Sequence, residues 1–310
     1  MNKLKTILSA TLAIVLFMGC TIDISGRKQY SGGVTGDDIS KATVKKSVSI
    51  SNFDEIYAMN GIKVIFTQGK FNGTAEISTT PSAEKYLVVE VKDKELRAYY
   101  KSHTGNIQGP SVIRVQAPEL EEISLTSAAS VVVNGPLKIS KDLDIELSSA
   151  SSVSLGDVSG GELEIGLSSA SSVTAKALSL KKLDISQSSA SSTNLGTVTT
   201  NELEVTCSSA SKTTIAGFNG GDADITASSG ANVKVSGVKA NKVEVSASSG
   251  GNITIEGTCQ SYTQMSSSGG TVSTRKLSST KTNSTKSRSK SHRKTTRKST
   301  STDMVPPREP

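Results

Sequence analysis

LSSASSV, residues 147–153, returns as LSSASSV at 167–173, QSSASST at 187–193, CSSASKT at 207–213, ASSGANV at 227–233 and ASSGGNI at 247–253. A small, uncharged heptapeptide at a fixed 20-residue interval marks a stacked repeat, and the period decides the fold before any local assignment does. Upstream of each heptapeptide the columns Leu143, Leu163, Leu183, Leu203, Ala223, Val243 and Ile145, Ile165, Ile185, Val205, Ile225, Val245 are apolar. Between them stand Asp144, Glu164, Asp184, Glu204, Asp224 and Glu244. Apolar, acidic, apolar is a strand with one buried and one wet face.

A second short strand follows each heptapeptide, with Leu155, Ala175, Leu195, Ile215, Val235 and Ile255 pointing inward, and a third apolar column runs through Val158, Leu178, Val198, Phe218 and Val238. Two or three short strands per period, with no helical pattern to cross back, predict an all-β chain whose coils stack in parallel and in register: a parallel β-solenoid with coils of about 20 residues. LTSAASVVV at 125–133 and SSSGGTVST at 266–274 extend the series to eight coils. Successive coils stand about 4.8 Å apart, so each corner residue meets its own copies above and below. Ser and Ala fit such a corner, and Ser hydroxyls can bond the backbone. The change to Gly230 and Gly250 in the later copies predicts a left-handed corner there. No base recurs beside these serines, so they read as architecture and not as nucleophiles.

The chain's ends carry a different message. Lys3 and Lys5 precede an apolar run from Ile7 to Met18 that stops at Gly19-Cys20. This anatomy predicts an export signal over 1–19, and LFMGC resembles a bacterial lipobox, with Cys20 as the lipidated residue. Residues 20–47 then form a polar tether, and acyl chains would supply a membrane anchor. At the other end, 275–310 holds eleven Lys or Arg against two acids. The formal charge of +7 is therefore a property of this tail, and the residues before it are slightly acidic. The tail's composition predicts disorder, and its lack of interleaved aromatics argues against specific nucleic-acid binding.

Residues 48–120 contain FDEI at 53–56, GIKVIFTQG at 61–69, VKDKELRAYY at 91–100 and APELEEISLTSAAS at 117–130. These motifs, in this order, resemble the adhesin "head GIN domain" family of bacterial lipoproteins over about 48–274. The resemblance implies a right-handed parallel β-helix-like fold, placement outside the cytoplasm, an adhesin label and no catalytic residues. Alternation at Ile62, Val64, Phe66 and at Leu87, Val89, Val91 independently predicts strands, which would cover the first end of the stack.

The acidic column from Asp144 to Glu244 could in principle gather cations as a ladder, but calcium needs six to eight converging oxygens and a flat strand offers one carboxylate per coil. A solvated charged face is the plainer reading. A glycan-cleaving β-helix would need paired carboxylates or a supported base; His103 stands alone among the residues before the tail, and no such constellation is present. The expectation is a non-enzymatic, cofactor-free envelope lipoprotein, in the outer membrane of a Gram-negative cell, that binds glycans or surface and matrix proteins. A periplasm-facing scaffold or stress component is the alternative.

Overall fold

The computed structural model describes residues 44–101, 109–281 and 284–288. In chain order its elements are β1 (Val44–Ser49), β2 (Glu55–Ala58), β3 (Lys63–Gln68), β4 (Thr74–Thr79), α1 (Pro81–Glu84), β5 (Leu87–Lys92), β6 (Glu95–Tyr100), β7 (Val112–Ala117), β8 (Glu122–Leu125), β9 (Ser130–Val133) and β10 (Leu137–Leu147). There follow β11 (Ser152–Leu167), β12 (Ser172–Gln187), β13 (Ser192–Cys207), β14 (Lys212–Ala227), β15 (Asn232–Ala247), β16 (Asn252–Ser267), β17 (Thr271–Ser279) and β18 (Ser284–Arg288). The chain is an all-β solenoid of about eight turns with coils of about 20 residues, as the period requires.

Pairing between coils is parallel at a constant offset: Val153 faces Val173, which faces Thr193, which faces Thr213. Within β11 to β13 the pairing skips positions 156, 176, 196 and again 161, 181, 201. Those skips are corners, and with the serine-rich turn they divide each coil into three faces. Face 1 carries 152–155 and its copies, face 2 carries 157–160, and face 3 carries 162–167. On each face the inward residues are buried and alternate with outward ones, the period-2 pattern of a half-buried strand. Leu143, Leu163 and Leu183 stack through the lumen beside Ile145, Ile165 and Ile185. Many thin aliphatic layers replace the aromatic core that this sequence lacks.

The heptapeptide does two jobs. Ser149 and Ala150 have φ of 52° and 65°, and the Ser151 N–H donates to the Ser148 carbonyl at 3.2 Å. Two left-handed central residues closed by that bond are the signature of a type I′ turn. The geometry recurs at Ser127-Ala128, Ser169-Ala170, Ser189-Ala190 and Ser209-Ala210, as well as at Ser229-Gly230, Ser249-Gly250 and Ser268-Gly269. Left-handed backbone is thus common to all copies and not, as the sequence suggested, a device of the glycine-bearing ones. The Ala150 N–H donates to the Ser169 carbonyl at 2.9 Å and the Ala170 N–H to the Ser189 carbonyl at 3.0 Å, so each turn is tied to the next coil. This cross-coil bond holds alanine where glycine would be the easier choice.

The central pair is exposed, whereas Ser151, Ser171, Ser191 and Ser211 are buried. Ser151 Oγ donates to the carbonyls of Ser148 (2.7 Å) and Leu125 (3.1 Å), and Ser171 Oγ to that of Leu147 at 3.2 Å. The hydroxyl column adds a second bond to carbonyls of the preceding coil, Leu125 and Leu147, that also accept the backbone N–H of Ser148 and Ser168.

The two long faces continue into the first part of the chain. Face 1 grows through β9, β3, β7, β4 and β1, and face 3 through β8, β2, β6 and β5. The outermost pairs, β1 with β4 and β5 with β6, are antiparallel, which ends the coiling. Phe53 and Phe66 pack edge to face at 6.4 Å inside this end. Lys45 and Lys46 are exposed on the edge strand β1, a charge placement that discourages edge pairing. At the far end strand pairing runs past residue 274: β17 pairs with β16 on faces 1 and 2, and β18 pairs with β16 on face 3. Ladder bonds are made by backbone alone, so a segment poor in apolar side chains can still add them. Polar residues join Tyr262, Val272 and Leu277 inside this end, and Thr274 Oγ1 donates to Gln264 Oε1 at 2.8 Å.

Candidate functional site

Face 3 gathers the chain's acids. Glu95, Glu55, Glu122, Asp144, Glu164, Asp184, Glu204, Asp224 and Glu244 are consecutive Cα partners across β6, β2, β8 and β10 to β15, a rank of nine carboxylates. The six expected from the period are all in it, together with Glu122. Sequence reasoning missed Glu55 and Glu95, which lie outside the 20-residue period. The signal was available in another form, because Glu55-Ile56, Glu95-Leu96 and Glu122-Ile123 each repeat the acid-then-buried-aliphatic pattern. A second rank alongside, Asp142, Glu162, Lys182, Glu202, Asp222 and Lys242, is mostly acidic as well.

Crowding and partial burial disturb these acids. Burial first, then the neighbouring charges, pushes the carboxyl groups of Glu55, Glu122, Glu146, Asp184 and Asp224 above their ordinary range. Asp144 is raised by burial, partly offset by a backbone hydrogen bond at Ile145, and its Oδ1 is buried with no hydrogen-bond partner. A few cations relieve the rank. Lys242 Nζ lies 2.8 Å from Glu244, Lys94 Nζ lies 2.8 Å from Asp54, and Arg97 pairs with Glu95. Among the described residues no group of three or more His, Cys, Asp or Glu side chains is arranged to hold a metal ion. Parallel strands explain this: the carboxylates point the same way and do not converge.

Face 1 has the opposite character. Its outward ranks are Ser152, Ser172, Ser192, Lys212, Asn232, Asn252 and Ser154, Thr174, Asn194, Thr214, Lys234, Thr254, a nearly neutral array of hydroxyls and amides. The solenoid therefore offers one anionic face and one hydrogen-bonding face, each with side chains repeated at the same register from coil to coil. Cys207 and Cys259 are free and buried, and burial raises both thiols. Cys20, the signal of 1–19, residues 20–43 of the expected tether, His103, and the tail beyond Arg288 lie outside the described residues, whereas 44–47, expected as the end of the tether, are part of β1.

Solved structures share this fold. A crystal structure of a "putative lipid binding protein" from Parabacteroides distasonis matches with a TM-score of 0.56 at 18% identity, covering 78% of this chain and 96% of that one. A "putative adhesin" from Parabacteroides merdae matches with a TM-score of 0.56 at 18% identity over 78% and 95% of the two chains. A second "putative adhesin", from Parabacteroides distasonis, gives 0.56 at 17% identity over 79% and 96%. No curated protein matches the chain. A family model matches twice, over residues 52–237 and 208–300, an overlap that a 20-residue period invites because the coils are interchangeable to an alignment. Since the two matches together take in the cap, every coil and the start of the tail, the chain belongs to the family described as "Putative auto-transporter adhesin, head GIN domain".

Proposed function

We propose that the protein is a non-catalytic, adhesin-like binding or scaffold module of the cell envelope, anchored through lipid on Cys20. The observation that carries this reading is family membership on a stack whose outward faces repeat similar side chains from coil to coil. Such surfaces suit extended ligands, because each coil repeats the same contact at about 4.8 Å intervals. The hydroxyl and amide ranks of face 1 suit glycans or the polar surface of matrix proteins, and the serine columns serve the turn. One solved relative carries the name of a lipid-binding protein. Here the lumen is filled with buried Leu, Ile, Val and Ala, so contact with lipid would fall to the Cys20 anchor or to an outer face.

Protease shaving of intact and permeabilised cells, following peptides from 122–270, tests the placement. Release from intact cells supports a surface adhesin and justifies screening glycans and matrix proteins. Protection until permeabilisation would replace that reading with a periplasm-facing scaffold.

A further inference from the structure

Each serine turn is flanked inside the lumen by one residue before it and one after it. Along the stack these pairs are Leu147 and Val153, Leu167 and Val173, Gln187 and Thr193, Cys207 and Thr213, Ala227 and Val233, Ala247 and Ile253. Four rungs are wholly apolar, and two adjacent ones are polar. Gln187, Thr193, Cys207 and Thr213 are only 4%, 2%, 0% and 0% exposed, yet each has a partner within the group. Thr193 Oγ1 donates to Gln187 Oε1 at 2.8 Å, and Gln187 Nε2 donates to Thr213 Oγ1 at 2.6 Å and to Cys207 Sγ at 3.2 Å. Cys207 Sγ and Thr213 Oγ1 are 3.1 Å apart. Both hydrogens and the carbonyl of a buried amide are thereby used, with groups drawn from two coils.

The rest of the stack has little to distinguish one coil from the next. Backbone ladders are indifferent to sequence, and the heptapeptide and aliphatic columns nearly repeat. A chain that looped out one whole coil would still pair every strand on either side of the loop. If coil 192–211 were skipped, Gln187 would face Ala227 and Thr213 would face Val173. If coil 172–191 were skipped, Cys207 would face Leu167 and Thr193 would face Val153. Either slip strands buried polar groups without partners, a penalty worth roughly ten- to hundredfold in population. We infer that the Gln187, Thr193, Cys207 and Thr213 quartet is a register lock, selecting the one stacking in which coils 172–187 and 192–207 are neighbours. A lone polar residue in an apolar coiled-coil seam fixes register by the same principle.

The test uses a disulfide as a ruler. Ser172 and Ser192 are Cα partners, as are Ser192 and Lys212, so 172 and 212 are two rungs, about 9.6 Å, apart and beyond disulfide reach unless a coil is skipped. In a chain carrying Cys20→Ser, Cys207→Ser and Cys259→Ala, the pair Ser172→Cys and Lys212→Cys is refolded from denaturant and then oxidised with glutathione disulfide. The parent quartet, with serine at 207 keeping a hydroxyl, should leave both probe thiols unlinked to each other. Gln187→Leu, Thr193→Val and Thr213→Val, with Cys207→Ala in place of Cys207→Ser, should together raise the 172 to 212 disulfide roughly tenfold or more. Thr193→Ser with Thr213→Ser should behave as the parent. Equal disulfide yields in parent and apolar variant would overturn the lock. So would an apolar variant that no longer folds, since the quartet would then hold the stack together and not choose its register.

Discussion

Alanine at a left-handed turn position carries a cost that the fold lets one measure. Ala150, Ala170, Ala190 and Ala210 have φ of 65°, 63°, 60° and 61°, while the equivalent Gly230, Gly250 and Gly269 have φ of 76°, 78° and 79°. A non-glycine residue held there costs about 1–2 kcal/mol against the right-handed region. Glycine removes that cost but gives back roughly 0.4–1 kcal/mol through the greater freedom of its unfolded chain. Each Ala→Gly change should therefore stabilise by about 0.5–1 kcal/mol, and the fourfold variant by roughly 2–4 kcal/mol if the turns act independently. No packing is lost, because Ala150, Ala170, Ala190 and Ala210 are exposed and a Cβ at Gly230 would meet nothing within 4 Å. For a domain of this size about 2–4 °C of melting temperature accompanies each kcal/mol. Thermal unfolding followed by circular dichroism should thus show the fourfold variant melting roughly 5–15 °C above the parent, with Gly230→Ala moving the other way. A fourfold variant that melts at or below the parent would refute the reasoning, by showing that the cross-coil bond from each alanine N–H already pins the turn at no conformational cost.

Four further outcomes follow from the acidic face and one tight corner. The raised carboxyls of Glu55, Glu122, Glu146, Asp144, Asp184 and Asp224 bind protons more tightly when folded than when unfolded. Their destabilisation is full at neutral pH and is relieved as pH falls through the raised folded values toward the ordinary carboxylate range. The urea midpoint should accordingly be higher at pH 5 than at pH 7, and a lower one would contradict this. Asp184→Asn relieves a partly buried charge and its repulsion from Glu164, offset in part by the lost attraction to Lys182, so it should stabilise by about 0.5–1 kcal/mol, and high salt should remove only the repulsive share. At Gly161 a Cβ would lie 1.6 Å from the Lys141 carbonyl oxygen, so Gly161→Ala should lower stability by about 1–3 kcal/mol or more, measured by denaturant titration. Millimolar calcium should leave the melting temperature unchanged, because the carboxylates of the rank run side by side; a clear upward shift would revive the cation ladder.

Much of this was legible in the residues. Leu143, Ile145, Val153 and Leu155 with their 20-residue copies gave the strands and their inward faces, because one column must be apolar at every level of a parallel stack. The Glu122 to Glu244 rank followed from the same arithmetic. Glu55 and Glu95 did not, since they join the rank through β2 beside β8 and β6 beside β2, places that depend on how the cap folds back. The serine turn was half read. Its small residues were expected at a corner, but which of them is buried could not be told from composition. Ser149 and Ser151 are the same residue two positions apart, one exposed in a left-handed turn and the other bonded to the Leu125 carbonyl.

The sequence by itself determined the period, the parallel register, the alternation of buried and wet columns and the family, because all four are written as a one-dimensional repeat that translation along the stack must preserve. Tertiary structure alone decided what happens where translation fails. It set the antiparallel strands that close the first end and the partly polar lumen that closes the last. It also set which atoms of Gln187, Thr193, Cys207 and Thr213 bond to one another, since the period aligns their columns but not the side-chain contacts between two coils.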